Sequence, residues 1–455
     1  MSNNETSTFR DRPLNIDESG DKKTIYAKKP KGKWYTRRTI FAWFTILFLI
    51  FAPIIKIDGN PLMLFDIVDR KIFLFGQLIW AQDTYLLALI MLITVIFIVL
   101  FTVVYGRLWC GWACPQTIFM EHIFRRIEYL FDGNYRNGKI KETKSAKAIL
   151  RIIAKHITFY ITALIITNLF LNWFVGPQRL IEIITSPISE NMMGFLFMMG
   201  ITTFYYWIYA YFREQVCTMI CPYGRMQGVL LDSKSIAVTY DYKRGEPRGA
   251  KNSGDCIDCK QCIAVCPTGI DIKNGSQLEC INCTACIDEC NTVMRKIGKP
   301  ENLIRFDSVH GIETGKRSII NARTYAYSAV LLVLLSVLAF TLTQRTPIDS
   351  TILRVPGTIF QKVDTNIFSN IYNIKIINKT QKDKELDIKL LHPEKGEIQF
   401  AGKNNTLEKD GKFENVIIIK LNKQVLTGKS TDIEIGIYEN NELLETYKTN
   451  FIGPY

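Results

Sequence analysis

The residues with the clearest chemistry are eight cysteines arranged as two copies of the pattern C-x2-C-x2-C-x3-C. The first copy consists of Cys256, Cys259, Cys262 and Cys266, and the second of Cys280, Cys283, Cys286 and Cys290. Bacterial two-cluster ferredoxins bind their iron–sulfur clusters with this spacing. Three thiolates spaced by two residues can cover one face of a cluster, while the fourth points away to the other cluster. The pattern therefore predicts two 4Fe–4S clusters.

We expect each cluster to be bound by three cysteines of one motif and the last cysteine of the other. One cluster is predicted to bind Cys256, Cys259, Cys262 and Cys290, and the other Cys280, Cys283, Cys286 and Cys266. Zinc also binds C-x2-C pairs, but it takes four tetrahedral ligands and has no use for a third cysteine at this spacing. Asn291 replaces the proline expected after the last cysteine, which removes no ligand. The chain should hold about eight irons in this segment.

The other four cysteines form two C-x-x-x-C-P motifs, each just after a charge-free apolar run. They are Cys110, Cys114, Cys217 and Cys221. Such an internal repeat suggests two equivalent halves that bring four thiols together at the membrane face. Three functional interpretations remain open: a soft-metal site for Cu(I), a redox dithiol, or ligation of a further cofactor. The alternative without function is that small apolar side chains pack at a helix end.

A copper role for these four cysteines makes a specific prediction. Serine at Cys110 and Cys217 should leave the iron content unchanged and abolish Cu(II) reduction or Cu(I) binding. His122, eight residues after Cys114, is interpreted as a surface or packing histidine rather than a ligand. No catalytic side chain is identified by the sequence.

Five apolar runs surround these motifs, and each is long enough, or nearly so, to cross about 30 Å of hydrocarbon. They are residues 39–55, 84–105, 157–175, 192–212 and 325–343. Lys and Arg concentrate in the loops 22–38 and 124–155, whereas loops 56–83 and 176–191 carry few of them. The positive-inside rule then predicts a cytoplasmic N-terminus, cytoplasmic cysteines and an external C-terminus. Cysteines in a reducing compartment bind metal or perform redox chemistry rather than form structural bridges.

Composition agrees with a membrane protein of several domains. The 455 residues are 48% apolar and 22% charged, with a net charge of +13. Long charge-free runs exclude a simple soluble enzyme, and the dispersed basic residues do not support nucleic-acid binding. Residues 1–38 are polar and are predicted to be a disordered basic tail. Residues 371–377, 416–421 and 433–438 alternate like strands, with turn signals at 402–405 and 410–411.

The predicted fold class is therefore a multidomain membrane protein: a five-span helical bundle, an inserted two-cluster ferredoxin-like α+β domain and a C-terminal immunoglobulin-like β-sandwich. Residues 39–212 contain four spans, and 213–324 form a cytoplasmic segment with the ferredoxin-like domain at about 250–297. The fifth span, 325–343, leads to the extracytoplasmic β domain at 344–455.

This order of parts, from about Lys33 to the closing Phe-Ile-Gly-Pro, resembles a cytochrome c oxidase accessory protein of the CcoG/FixG/RdxA type. The resemblance implies a bacterial inner-membrane protein that helps to build the cbb3-type oxidase by reducing Cu(II) to Cu(I). Its partners would be that oxidase or its copper-delivery factors, with an electron donor that the sequence does not identify. The alternatives are a quinol-oxidising electron-transfer subunit of a respiratory reductase and a non-catalytic redox sensor or assembly scaffold.

Overall fold

The computed structural model describes residues 25–57, 59–80, 83–133, 146–249, 253–275, 277–316, 322–344, 346, 348–380, 383–400, 406–409, 411–439 and 441–454. These residues form two compact units. The first comprises the described parts of Met1–Ile55, Asp66–Val68 and Ala88–Ser336, and the second those of Lys56–Phe65, Asp69–Leu87 and Val337–Tyr455.

The α-helices lie mainly in the first unit. In chain order they are α1 Lys33–Phe51, α2 Thr84–Tyr105, α3 Leu108–Trp112, α4 Pro115–Phe119, α5 Arg125–Phe131, α6 Ala146–Val175, α7 Pro177–Thr185, α8 Met192–Trp207, α9 Pro222–Leu230, α10 Tyr242–Gly245, α11 Gln261–Ala264, α12 Ala285–Lys296, α13 Val309–Thr314 and α14 Ala322–Thr343. Met120–Phe124, Ile208–Phe212 and Val216–Ile220 are π-helical, and Ile272–Asn274 and Lys423–Val425 are 3-10 turns.

The strands are concentrated in the second unit. They are β1 Lys56–Ile57, β2 Asn60–Pro61, β3 Met63–Asp66, β4 Lys71–Leu74, β5 Gln77–Trp80, β6 Ala237–Tyr240, β7 Ile304–Asp307, β8 Ile348–Arg354, β9 Gln361–Asp364, β10 Ile367–Asn378, β11 Lys384–Glu385, β12 Asp387–His392, β13 Gly396–Phe400, β14 Thr406–Leu407, β15 Lys412–Asn422, β16 Ser430–Glu439 and β17 Glu442–Ile452.

Four helices of the described chain are long and apolar enough to cross a membrane, in agreement with four of the predicted spans. They are α2, α6, the continuous helical stretch Met192–Phe212 and α14. The first predicted span, 39–55, overlaps α1 but extends four residues beyond its end at Phe51, and the 19 residues of α1 include three basic ones near its start. These helices, the ferredoxin-like segment and the terminal β domain confirm the predicted fold class.

The segment before the first membrane helix is ordered where the structure describes it, so the predicted disordered tail is wrong for residues 25–38. Ala27 is buried, and the backbone N–H of Lys28 donates to the carbonyl of Ala264 at 2.8 Å. The side chain of Lys28 pairs with Glu289, and α1 begins at Lys33. The segment packs on a surface encoded more than 200 residues later, which its own polar composition does not reveal. Residues 1–24 lie outside the described residues.

The C-terminal β domain is an antiparallel sandwich, as the alternating pattern predicts. One sheet has the order β13-β15-β10-β8, with β9 paired to β10, and the other has the order β12-β16-β17. Inward-facing isoleucines of β15 and β16, such as Ile417, Ile433 and Ile435, are fully buried between the sheets. The predicted turn at 402–405 and Asp410 lie outside the described residues.

Most of the loop between α1 and α2, namely Lys56–Phe65 and the residues from Asp69 onward, belongs to the same compact unit as the β domain. Its strands β3, β4 and β5 form a small sheet. The ammonium of Lys379, on the β domain, lies 2.8 Å from the carboxylate of Asp83, at the end of this loop. Both side chains are almost completely buried, so the ion pair is a strong link between two segments that are distant in sequence.

Candidate iron–sulfur centres and thiol site

The ferredoxin-like segment contains two cavities lined by cysteines. The first is lined by Cys256, Cys259, Cys262 and Cys290, together with apolar side chains that include Met294 and Ile304. The second is lined by Cys266, Cys280, Cys283 and Cys286, with Cys262 at its border. Each cavity is thus lined by the four cysteines that the crossed assignment gives to one cluster. Four thiols in an apolar cavity are a donor set that fits a 4Fe–4S cluster.

Left-handed backbone turns recur at equivalent positions in the two cysteine loops. Asp258 and Asn282 occupy the same position in the two motifs and have φ values of 54° and 53°. Lys260 and Thr284, also at equivalent positions, have φ values of 56° and 67°. Asn and Asp adopt this conformation more readily than most residues, but Lys and Thr do not. Sequence reasoning missed these turns because only two of the four residues give a local signal.

Burial raises the pKa of several of the cluster-lining thiols. Desolvation raises the pKa of Cys262 to about 12 and that of Cys280 to about 12. Burial also raises the pKa of Cys266, an effect opposed by the Thr268 hydroxyl and by the backbone N–H groups of Thr268, Ile270 and Gly269. The Thr268 hydroxyl lies 3.4 Å from the Cys266 sulfur. These thiols therefore become thiolates only when a metal displaces their protons.

The two C-x-x-x-C-P motifs have matching backbone geometry. Each follows a membrane helix that ends at a residue with positive φ, Gly106 at 57° and Arg213 at 53°. Cys114 and Cys221 are extended, with φ/ψ of −64°/122° and −66°/111°. Each is followed by a proline that starts a new helix, α4 or α9, because proline is well tolerated in the first turn.

Arg213 can hold its unfavourable conformation because its side chain is anchored. The guanidinium donates two hydrogen bonds to the Glu128 carboxylate, at 2.7 and 2.9 Å, and both side chains are buried. Arg125 lies in the same charged group and pairs with Glu121 at 3.1 Å. Nothing in the local sequence reveals this network, because its members come from different parts of the chain.

Side-chain contacts bring the two motifs together in space. The thiol of Cys110 donates to the side-chain oxygen of Gln227 on α9, with a sulfur–oxygen distance of 3.0 Å. The hydroxyl of Thr117, on α4, lies 4.0 Å from the sulfur of Cys217. Burial raises the pKa of Cys217 to about 12, with smaller contributions from the neighbouring thiols of Cys114, Cys110 and Cys221. The four cysteines are therefore close to one another, with Cys110 buried and the other three half-buried, and we call this group the four-thiol site.

The four-thiol site adjoins the second cavity. Cys110 packs in one apolar cluster with Ile281 and Cys283, and the Trp112 indole donates to the carbonyl of Asn282 at 3.3 Å. A Cβ atom on Gly111 would lie only 2.2 Å from the carbonyl oxygen of Ile281. Glycine at this position therefore allows α3 to touch the backbone between Cys280 and Cys283.

His122 is a packing residue, as predicted. It is buried in the π-helical turn after α4 and stacks on Tyr35 with ring centroids 6.0 Å apart. Neither ring nitrogen has a hydrogen-bond partner among the described residues. It does not line either cysteine cavity.

These features define a membrane-anchored iron–sulfur protein with an appended immunoglobulin-like domain. Residues 212–252 and 246–309 match a family model described as a 4Fe–4S dicluster domain, and residues 87–136 match a 4Fe–4S binding domain. Residues 338–454 match the immunoglobulin-like fold at the C-terminus of FixG.

Curated relatives lead to the same family. The chain is 29% identical to protein RdxB of Cereibacter sphaeroides, over 80% of this chain and 81% of that protein. It is 29% identical to RdxA of the same organism, over 79% and 80% respectively. Nitrogen fixation protein FixG of Rhizobium meliloti is 30% identical over 63% of this chain and 57% of that protein. Together these relatives and family models support a membrane-bound polyferredoxin of the CcoG/FixG/RdxA type.

Proposed function

We propose that this protein is an electron carrier anchored in the bacterial inner membrane. It would reduce Cu(II) to Cu(I) during assembly of a cbb3-type cytochrome c oxidase. The observation that carries the proposal is the direct packing of Cys110 and Gly111 against the Cys280–Cys283 loop. A thiol group at the membrane face is thereby held beside the ligands of an iron–sulfur centre.

The eight cavity-lining cysteines would hold two 4Fe–4S clusters, which supply one-electron transfer when bound. Residues of α3 would bring the four-thiol site close to the second cluster, so that electrons can pass between them. Gly111 allows backbone contact with Ile281, and the Trp112–Asn282 hydrogen bond fixes α3 against the ligand loop. Reduction of each Cu(II) to Cu(I) takes up one electron, which a reduced cluster would supply.

The proposed orientation places the ferredoxin-like segment in the cytoplasm and the β domain in the periplasm. The Asp83–Lys379 ion pair supports this topology, because it joins the β domain to a loop that the positive-inside rule assigns to the same side. In that compartment the β domain would be available to the oxidase or its copper-delivery factors.

Gly111 offers a direct test of the proposal. Detergent-purified, anaerobically reduced protein should convert added Cu(II) to Cu(I), measured with a Cu(I)-specific chelator, while the cluster absorbance returns to its oxidised value. Gly111→Ala should retain the iron of the ferredoxin-like segment but slow the reaction at least about tenfold, because its Cβ forces α3 away from Ile281.

Gly200→Ala is the matched control, since nothing lies within 4 Å of a Cβ atom at that helical position. It should react at the wild-type rate. Wild-type protein that produces no Cu(I), or a Gly111→Ala variant that reacts as fast as the control, would contradict the proposal.

A further inference from the structure

The four-thiol site constitutes a third group of cysteines, separate from the two cavities of the ferredoxin-like segment. We propose that Cys110, Cys114, Cys217 and Cys221 together bind a third iron–sulfur cluster, of the four-iron class, and not a single copper ion. This assignment goes beyond the proposed function, because the cluster would be present whichever acceptor receives the electrons.

The two halves of the site supply equivalent ligands. In each motif a residue with positive φ stands four positions before the first cysteine, and the second cysteine is extended and precedes a proline. The carbonyl of that second cysteine then accepts a backbone N–H from the new helix, Ile118 in one motif and Arg225 in the other. The two halves therefore match at the positive-φ residue and at the second cysteine, whereas Cys110 lies in the α-helix α3 and Cys217 in a π-helical turn.

The halves also interlock through side chains that bridge them. The side-chain oxygen of Gln227, on α9, accepts from both the Cys110 thiol and the Arg107 guanidinium, at 3.0 and 3.3 Å. In the opposite direction, the Thr117 hydroxyl of α4 reaches Cys217. Each half therefore contacts a thiol of the other half.

The environment of the Cys114 sulfur resembles that of Cys266, a predicted cluster ligand. Both cysteines precede a proline. Burial raises the pKa of Cys114, and the backbone N–H groups of Thr117 and Gln116 and the Thr117 hydroxyl oppose this effect. Cys266 has the same combination, with backbone N–H groups two to four residues later and the Thr268 hydroxyl. Hydrogen bonds to sulfur of this kind tune the potential of iron–sulfur clusters.

The number and kind of the donors fit an iron–sulfur cluster. A tetrahedral set of four thiolates binds zinc or an iron–sulfur cluster. Four thiolates about 2.3 Å from one ion would lie about 3.8 Å from each other. In the part of the chain that the structure describes, no three or more His, Cys, Asp or Glu side chains come close enough to hold one ion.

The eight cysteines around the two cavities also do not come close enough, in groups of three or more, to hold a single ion. In a cluster each thiolate binds a different iron, so the sulfur atoms stand farther apart than around a single ion. Residues 87–136 and 212–252, which contain the two C-x-x-x-C-P motifs, also lie in regions that match 4Fe–4S family models. The four-thiol site thus shares its donor set, four cysteine thiols, with each of the two predicted clusters.

The experiment is metal analysis of the full-length protein, purified anaerobically in detergent. Wild-type protein should contain about twelve irons and twelve acid-labile sulfides per chain, as expected for three four-iron clusters. The double variant Cys110→Ser/Cys217→Ser should contain about eight of each. The eight remaining irons show that the ferredoxin-like segment is still folded.

Met226→Leu is the control, because Met226 is an exposed sulfur-containing residue on α9, close to the site in sequence. It should retain about twelve irons, since a thioether is not a ligand in this assignment. Low-temperature electron paramagnetic resonance of the reduced protein should show a signal that is absent only from the double variant.

Two outcomes would overturn the assignment. Wild-type protein with about eight irons, unchanged in the double variant, would show that the four thiols hold no cluster. Copper that is bound by the wild type and lost in the double variant, with iron unchanged, would show an ion site instead. A protein that holds three clusters but does not reduce Cu(II) would support this site and contradict only the proposed copper reduction.

Discussion

Asn291 shows how a single residue adapts one cysteine motif to its surroundings. In the first motif the helix α11 ends at Ala264, so Pro267 lies outside it. In the second motif α12 continues to Lys296, and a proline at position 291 would interrupt its hydrogen bonds. The Asn291 side-chain oxygen instead accepts the backbone N–H of Asn302 at 2.8 Å. The substitution therefore preserves the helix and holds the segment that leads into β7.

His122 gives the protein an acid-sensitive residue away from the cysteines. Burial lowers its pKa to about 3, with smaller contributions from Arg38 and Arg126. In the unfolded chain the His122 imidazole binds a proton near pH 6.5, whereas in the folded chain the imidazole stays neutral at that pH. The stabilisation is therefore complete above pH 6.5 and is lost progressively as the pH falls toward 3.

We expect His122→Phe to reduce the loss of stability on acidification. The midpoint of thermal unfolding should fall less between pH 7.5 and 5.5 in this variant than in the wild type, because phenylalanine cannot take up a proton. The same replacement at the half-buried His310 is the control and should leave the wild-type difference intact. Equal pH dependence in wild type and His122→Phe would contradict the prediction.

At the scale of elements, α1 depends on another helix for its N-terminal cap. Gly32 precedes the helix and has no side chain to accept the first N–H groups. The carboxylate of Asp288, on α12, accepts the N–H groups of Trp34 and Tyr35 at 3.2 and 2.7 Å. A Cβ on Gly32 would lie 2.2 Å from the Asp288 side chain, so the glycine makes room for the cap.

Removing this cap should loosen α1 from α12. Asp288→Ala should lower the free energy of unfolding by about 1 kcal/mol, the usual cost of losing an N-terminal cap, and should expose residues 25–32 to limited proteolysis. Asp288→Asn should lose less, since it keeps one oxygen acceptor. Asp432→Ala, on the exposed face of β16, is the control. Unchanged proteolysis of Asp288→Ala would show that the carboxylate does not hold the segment.

At the scale of the whole molecule, the second unit contains both the loop before α2 and the β domain after α14, which are far apart in the sequence. Lys379 lies between Asp83 and Asp349, 2.8 and 3.3 Å from their carboxylates, and is nearly inaccessible to solvent. This arrangement agrees with the proposed topology, in which the loop before α2 and the β domain after α14 lie on the same side of the membrane.

Reporter fusions can test the corresponding topology. A periplasm-dependent phosphatase fused after Tyr455 should be active, and the same enzyme fused at Lys273 should be inactive, because the positive-inside rule places them on opposite sides. A fusion at Asn60 in the loop before α2 should be active like the C-terminal one. Opposite activities of the Asn60 and C-terminal fusions would contradict both the topology and the Asp83–Lys379 pair.

The sequence alone predicted the features that depend on local patterns. The spacing of Cys256 to Cys290 indicates iron–sulfur ligation because nearby residues must supply three ligands to one cluster. Uninterrupted apolar runs reveal α2, α6, α8 and α14, since a membrane span is defined by its length and composition. Alternating isoleucines identify β10, β15 and β16 because strand side chains alternate between two faces.

Only the tertiary structure decided how these parts meet. The convergence of Cys110 with Cys217, the approach of Gly111 to Ile281 and the capping of α1 by Asp288 join residues about 100 to more than 250 positions apart. No local pattern specifies such contacts, because their energy comes from packing and hydrogen bonding between separately encoded elements. For the same reason the sequence of residues 25–38 predicts an isolated polar tail, whereas in the structure these residues pack against α12.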